Sequence, residues 1–208
     1  LKIQFDYCKS LSRALVPHVL ADGHYEADDL IGRALMLARR QGRPGLILSA
    51  DKDLSQLLGE HDEQWDYAKN ERWRQAGVKA KHGVHAHQLA DYLGLTGDAV
   101  DNIPGVPGIG PKTAATLLSH FGSLDELLEK IDEIPYLRLR SAAQHAQKLR
   151  EHRDMALLCR QLATIRCDLP IAGGETLGTR QAVDSVALNA LIERLRFGPL
   201  TRRRLLSL

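Results

Sequence analysis

Three features predict an α/β fold with a parallel sheet, followed by an almost wholly helical region. Residues 26–40 carry apolar side chains at 27, 30, 31, 34, 35 and 38, the spacing of an amphipathic helix packed on a core. Residues 46–50 form a short apolar run bounded by turn signals and read as a buried strand that ends in the acidic turn Asp51, Lys52, Asp53. From residue 96 to 112 glycine and proline become dense, and helical periodicity resumes beyond them.

The remaining elements follow in order. Residues 1–16 read as a helix already under way at Leu1, with Ile3, Phe5, Leu11, Leu15 and Val16 broadly in helical register, so the chain is expected to lack an opening segment. Gly42, Pro44 and Gly45 stop the second helix before the strand. Helical period returns at 54–58, a second strand is predicted near 63–67, and a helix at 84–93. A short helix is expected to end near Asn102. Another runs over 114–121, with Ala114, Leu117, Leu118 and Phe121 on one face, and helix dominates from 124 to 165. Residues 170–179 read as a loop, 187–195 as a helix, and Arg202, Arg203 and Arg204 as a solvated tail.

Composition sets bounds. The 208 residues are 44% hydrophobic, enough for a core, but only 5% aromatic, so that core must be aliphatic. No run approaches the roughly 20 apolar residues of a membrane span. Cys8, Cys159 and Cys167 lack metal-like spacing and suit reduced thiols in a cytoplasmic protein. A net charge of +2 announces no nucleic-acid binder, so any such binding must rest on charge arranged locally. His82, His85 and His87 read as surface or DNA-facing groups rather than zinc ligands, and Trp65 and Trp73 as packing residues.

Carboxylates fall in three tight groups: Glu26, Asp28 and Asp29 at a helix start, Asp51 and Asp53 after a strand, and Asp98 with Asp101. Each has a bland explanation, since acids favour the first turn of a helix, cap turns after strands, and line solvated faces. Together they suggest more. The crevice of an open α/β sheet lies beyond the carboxyl ends of its strands, where Asp51 and Asp53 sit. Converging carboxylates repel one another and call for cations, and Mg²⁺ and Mn²⁺ prefer such all-oxygen sites. Two such ions can drive phosphodiester cleavage. Glu26 and Asp29 are helical neighbours, whereas Asp28 lies on the flank.

The most specific signal is residues 102–113, Asn-Ile-Pro-Gly-Val-Pro-Gly-Ile-Gly-Pro-Lys-Thr. Pro111 suits the first position of a helix, Gly105, Gly108 and Gly110 permit close approach, and Lys112 and Thr113 add charge and a hydroxyl beside free amides. A nucleotide-binding P-loop is rejected because Pro111 intrudes before Lys112 and no apolar strand leads in. A structural helix–turn–helix corner remains open. The favoured reading is a helix–hairpin–helix that grips a phosphate backbone without reading bases.

Three ordered blocks then resemble one family: residues 25–32 (Tyr-Glu-Ala-Asp-Asp-Leu-Ile-Gly), 49–54 (Ser-Ala-Asp-Lys-Asp-Leu) and 97–114 (Gly-Asp-Ala-Val-Asp-Asn through Pro-Lys-Thr-Ala). They resemble the signature blocks of bacterial 5′–3′ exonucleases and flap endonucleases, including the 5′-nuclease domain of DNA polymerase I, over residues 1–169. The resemblance implies the C-terminal part of a PIN-like nuclease core at 1–80, a helix–three-turn–helix DNA-binding lobe at 81–170 and a helical extension at 171–208. It implies a metal-dependent 5′-nuclease acting by two metal ions on DNA with 5′ ends, flaps or nicks, as a monomer. Glu26, Asp28 and Asp29 would serve one Mg²⁺ or Mn²⁺ site, and Asp51, Asp53, Asp98 and Asp101 the other. A K⁺ ion would sit on backbone carbonyls around Val106 and Ile109. Some stand-alone relatives lose the last two acids, but both Asp98 and Asp101 stand here. Family members open with two strands that each end in an aspartate ligand, and with a basic helical arch. None of these is in this sequence, whose residues 1–16 resemble the helix after the arch. A non-catalytic helix–hairpin–helix module and a PIN-type ribonuclease are the competing readings; the second gives no reason for the hairpin.

Overall fold

The computed structural model describes residues 2–16, 18–170 and 182–207. It divides into two compact units, residues 1–42 with 167–208, and residues 43–166.

In the first unit, helix α1 (Lys2–Leu15) packs against α9 (Ser185–Arg194). Ala14, Leu188 and Ile192 are buried at the contact, flanked by Leu11, Leu15, Leu191 and, from α10 (Pro199–Leu206), Leu205. The Asp184 amide donates to the Ala14 carbonyl at 3.0 Å, and its carboxylate caps α9 at the Ala187 amide, 2.9 Å away. Arg202, Arg203 and Arg204 lie in α10 with exposed side chains, solvated as expected. Helix α2 (Ala27–Arg40) opens at Glu26 as predicted and buries Leu30 and Leu35. The loop expected at 170–179 falls, beyond Pro170, outside the described residues.

The second unit starts with a three-stranded sheet ordered β1 (Leu46–Leu48), β2 (Glu63–Asp66), β3 (Glu71–Trp73). The β1–β2 pair is parallel, as expected, with Ile47 opposite Gln64. β3 was not foreseen and pairs antiparallel to β2 through a tight turn, in which Asn70 has a φ of 54°. Glu71, Arg72 and Trp73 carry too little apolar alternation to announce a strand; the turn and the Trp65–Arg72 pairing bring them in. β1 is buried on one face only: Ile47 is 5% exposed, but Leu46 and Leu48, which point to the opposite face, are 53% and 61% exposed. The crossover from β1 to β2 contains a 3₁₀ turn, Asp53–Leu57.

Helices follow: α3 (Gln75–His82), α4 (Leu89–Thr96), α5 (Pro111–Phe121), α6 (Leu124–Glu129), α7 (Ala142–Glu151) and α8 (Arg153–Ala163). The helix predicted at 84–93 is a 3₁₀ turn leading into α4, because the Gln88 side chain accepts the His85 amide at 2.9 Å. The same side chain donates to the Leu118 and Gly122 carbonyls at 3.0 and 2.8 Å, and so caps the end of α5. The aliphatic core is as composition required. Leu95, Leu117, Leu118, Leu124, Leu127, Ile134 and Leu149 are completely buried, each contributing about 1.5–3 kcal/mol. No described helix is long and apolar enough to cross a membrane.

Candidate metal centre

Two loops of the second unit build the site. The first leaves β1: the Ser49 hydroxyl accepts the Asp51 amide at 3.1 Å, and the Asp51 carboxylate accepts the Asp53 amide at 3.0 Å. A polar chain beneath the loop supports it. Gln64, fully buried on β2, donates to the Ser49 and Asp51 carbonyls at 3.0 and 2.5 Å. Its carbonyl oxygen accepts the Ser55 hydroxyl at 2.7 Å, and that hydroxyl accepts the Trp73 indole N–H at 3.0 Å. Leu54, 1% exposed, anchors the 3₁₀ turn from the apolar side.

The second loop follows α4. Residues 98–103 form a turn, not the short helix expected to end near Asn102. Asp98 and Ile103 exchange both backbone hydrogen bonds at 2.8 Å. The Asp98 carboxylate takes the Val100 amide at 2.9 Å, and Asn102 adopts a φ of 57°, a conformation that asparagine tolerates. Gly97, with a φ of 73° and an extended ψ of 173°, precludes continuation of the helix. Asp98 and Asp101 thus come together through a tight turn rather than through helical spacing.

Asp53, Asp98 and Asp101 each offer a carboxylate oxygen within 4.8 Å of the others, and among the described residues they form the one such group of three His, Cys, Asp or Glu residues. Burial, together with the negative charges of Asp51, Asp98 and Asp101, pushes the Asp53 carboxyl up to about 6, with the Lys52 ammonium opposing. Asp98 is buried, which would raise it. The Lys52 ammonium on its Oδ2 and the Val100 amide on its Oδ1 outweigh burial and hold it below the usual value. A donor set of three carboxylates, one of them buried, fits an oxygen-preferring divalent cation.

The other predicted residues are not members of this group of three. Asp51 is exposed and serves the Asp53 amide. Glu26, Asp28 and Asp29 stand at the start of α2 in the other unit. There Glu26 and Asp29 form a capping box, the Glu26 amide donating to Asp29 Oδ2 at 3.4 Å. Cys8, Cys159 and Cys167 form no disulfide among the described residues. His82 stacks edge-on against Tyr92 at 5.8 Å, and His85 lies parallel to His87 at 5.5 Å. Sequence reasoning gave Lys52 no role and passed over Ser55 and Gln64. A glutamine inside a short strand was the one signal for the support chain.

The glycine-rich hairpin joins the second acidic loop to α5. The Val106 amide donates to the Leu95 carbonyl at 2.8 Å, and the Ile109 amide to the Val106 carbonyl at 3.0 Å. The side chains of Ile103, Val106 and Ile109 are buried beneath the hairpin. Gly105, at φ 67°, rests against Gly97 so closely that a Cβ would fall 2.3 Å from the Gly97 nitrogen. Gly108 and Gly110 have open space where a Cβ would stand. Gly110 is the cap and Pro111 the first residue of α5, as predicted, with Lys112 exposed and Thr113 half-buried beside the free amides.

Residues 1–83 match the 5′–3′ exonuclease N-terminal resolvase-like domain, and residues 84–184 the 5′–3′ exonuclease C-terminal SAM fold. The chain is 40% identical over 176 residues to DNA polymerase I of Bacillus caldotenax, covering 82% of this chain and 19% of that protein. It is 39% identical over 146 residues to the flap endonuclease Xni of Shewanella amazonensis, covering 70% of this chain and 55% of that one. The chain therefore spans about a fifth of the polymerase and about half of the flap endonuclease. The fold is that of the bacteriophage T5 D15 flap endonuclease, solved with DNA and metal ions, at a TM-score of 0.64, 20% identity and coverage of 93% of this chain and 66% of that one. The Rad2 catalytic core, solved with a DNA substrate, superposes at 0.59 with 15% identity, covering 99% and 69%. The α/β core with its helical lobe is thereby established, and because matches to the family's two domains meet end to end over residues 1–184, the chain belongs to the 5′–3′ exonuclease family.

Proposed function

We propose that this chain belongs to a divalent-metal-dependent 5′-nuclease that hydrolyses DNA phosphodiester bonds at 5′ ends, flaps or nicks. The observation that carries the reading is the gathering of Asp53, Asp98 and Asp101, from two separate loops, into one carboxylate group. Mg²⁺ or Mn²⁺ held there would supply charge to polarise the phosphoryl oxygen and to lower the barrier to attack by water. Asp53 and Asp98 would hold the ion from fixed backbone, and Asp101 from the exposed side. Asp51 would act as an outer ligand or orient Asp53. Glu26, Asp28 and Asp29 are proposed to serve a further ion of the same kind.

The hairpin would hold the DNA backbone. Gly108 and Gly110 leave room for a phosphate, and the α5 amides and Lys112 supply donors and charge without touching base edges. Thr113 would add its hydroxyl and Gly105 the backbone bend, with K⁺ on the Val106 and Ile109 carbonyls as a bridge to that phosphate. A monomer acting in the cytoplasm fits this reading.

The test compares Asp53→Ala and Asp98→Ala with the parent in the protein as it occurs in its cell, on labelled flap and nicked duplexes with Mg²⁺ or Mn²⁺. Cleavage should fall at least a hundredfold while DNA binding is kept. Cleavage that survives both substitutions refutes the site, and salt-sensitive DNA binding with no response to divalent metal would leave a non-catalytic module in its place.

A further inference from the structure

Lys52 pairs with one of the clustered acids, Asp98, in space and precedes another, Asp53, in sequence. Its ammonium is paired with Asp98 Oδ2, the oxygen turned away from the Val100 amide. The partners are unequal: the Asp98 side chain is 3% exposed and fixed at both ends of its turn, whereas the Lys52 side chain is 42% exposed. Lys52 also lines a cleft of about 340 Å³, whose wall includes the acids Asp66 and Glu71 with Lys69, Arg72 and Lys81. One member of the pair can move, and a solvent-open space lies next to it.

We infer that Lys52 is a placeholder counter-ion, holding buried Asp98 in its ligating position until a divalent cation displaces the ammonium into the neighbouring cleft. The inference rests on the metal-binding reading above. An unpaired buried carboxylate would be costly, so in the cation-free protein the ammonium supplies the missing charge. A divalent cation among the same oxygens would lie within a few ångströms of the ammonium and repel it. The two therefore compete for Asp98, and part of the binding energy of the cation is spent on breaking the ion pair. Lys52 acts through Asp98 and is a positioning residue.

The experiment titrates Mn²⁺ into the 208-residue chain by calorimetry, without DNA. Lys52→Met, which keeps the stem and removes the charge, should bind Mn²⁺ about tenfold more tightly, and Lys52→Arg should match the parent. A second measurement needs no variant. Amine acetylation followed by mass spectrometry should label Lys52 several-fold faster once Mn²⁺ is added, with Lys148 as reference. Equal or weaker binding by Lys52→Met while the parent binds, or unchanged labelling of Lys52, overturns the placeholder role alone. No Mn²⁺ binding by either chain overturns both this inference and the metal site.

Discussion

The side-chain amide of Gln64 reaches the Asp51 carbonyl at 2.5 Å and so ties the acidic loop to the floor of the sheet. A second bond to Ser49 and a third through Ser55 make Gln64 the hub of a buried polar chain. Leucine at this position would fit the volume but orphan two carbonyls and one hydroxyl. Gln64→Leu should destabilise the chain by about 2–4 kcal/mol in urea unfolding, since each orphaned buried group costs about 1–3 kcal/mol and some regain water. It should also weaken divalent-cation binding, because Asp53 loses its fixed backbone. Wild-type stability would show that the chain is not the support.

Asp53 gives the pH dependence. Its folded carboxyl titrates at about 6 against an ordinary 3.8, so the folded state holds the proton more tightly than the unfolded chain. The associated stability is present below pH about 4 and lost as pH rises to about 6. The shift alone would correspond to about 3 kcal/mol, but the carboxylate is half-exposed and screened, which reduces the expected loss to about 1 kcal/mol. Asp53→Asn should therefore be more stable than the parent by that amount at pH 7 without metal, the difference closing by pH 4. Denaturant titrations across this range check it, and a less stable Asp53→Asn at pH 7 would contradict the raised value.

Much of this was legible from residue order. Helices α1, α2 and α5, strands β1 and β2 and the start of α5 at Pro111 follow from apolar period and turn chemistry, which act locally. Asp53, Asp98 and Asp101 were nameable because each stands in a distinctive block. Less legible was what depends on tertiary partners. Strand β3 exists because β2 lies beside it. The turn at 98–103 exists because Asp98 and Ile103 bond each other instead of continuing a helix. Lys52 looked like a turn residue until Asp98, distant in the chain, was placed against its ammonium.

The contact between Gly105 and Gly97 predicts a graded glycine series. Gly105→Ala meets both a positive φ and a Cβ position 2.3 Å from the Gly97 nitrogen, so the cost should reach about 3 kcal/mol or more. Gly108→Ala meets only a positive φ, 84°, with open space around the new methyl, and should cost about 1–2 kcal/mol. For DNA, Gly108→Ala should weaken binding more than its stability loss explains, because the methyl occupies the room proposed for a phosphate. Paired urea unfolding and fluorescence anisotropy separate the two effects, and equal stability losses would reject the close contact.

Lys112 tests how the hairpin grips DNA. It is exposed next to the α5 amides and has no acidic partner among the described ion pairs, so its charge is available to a phosphate. Neutralising one phosphate releases about one counter-ion, and removal of that contact should lower the slope of log K against log salt by about 0.9. Lys112→Ala should do this equally on duplexes of unrelated sequence, because a phosphate contact carries no base information. Anisotropy titrations between about 50 and 200 mM salt, the range in which counter-ion release dominates, measure the slope directly. An unchanged slope would move the phosphate seat away from Lys112, and a sequence-dependent loss would mean that the hairpin reads bases.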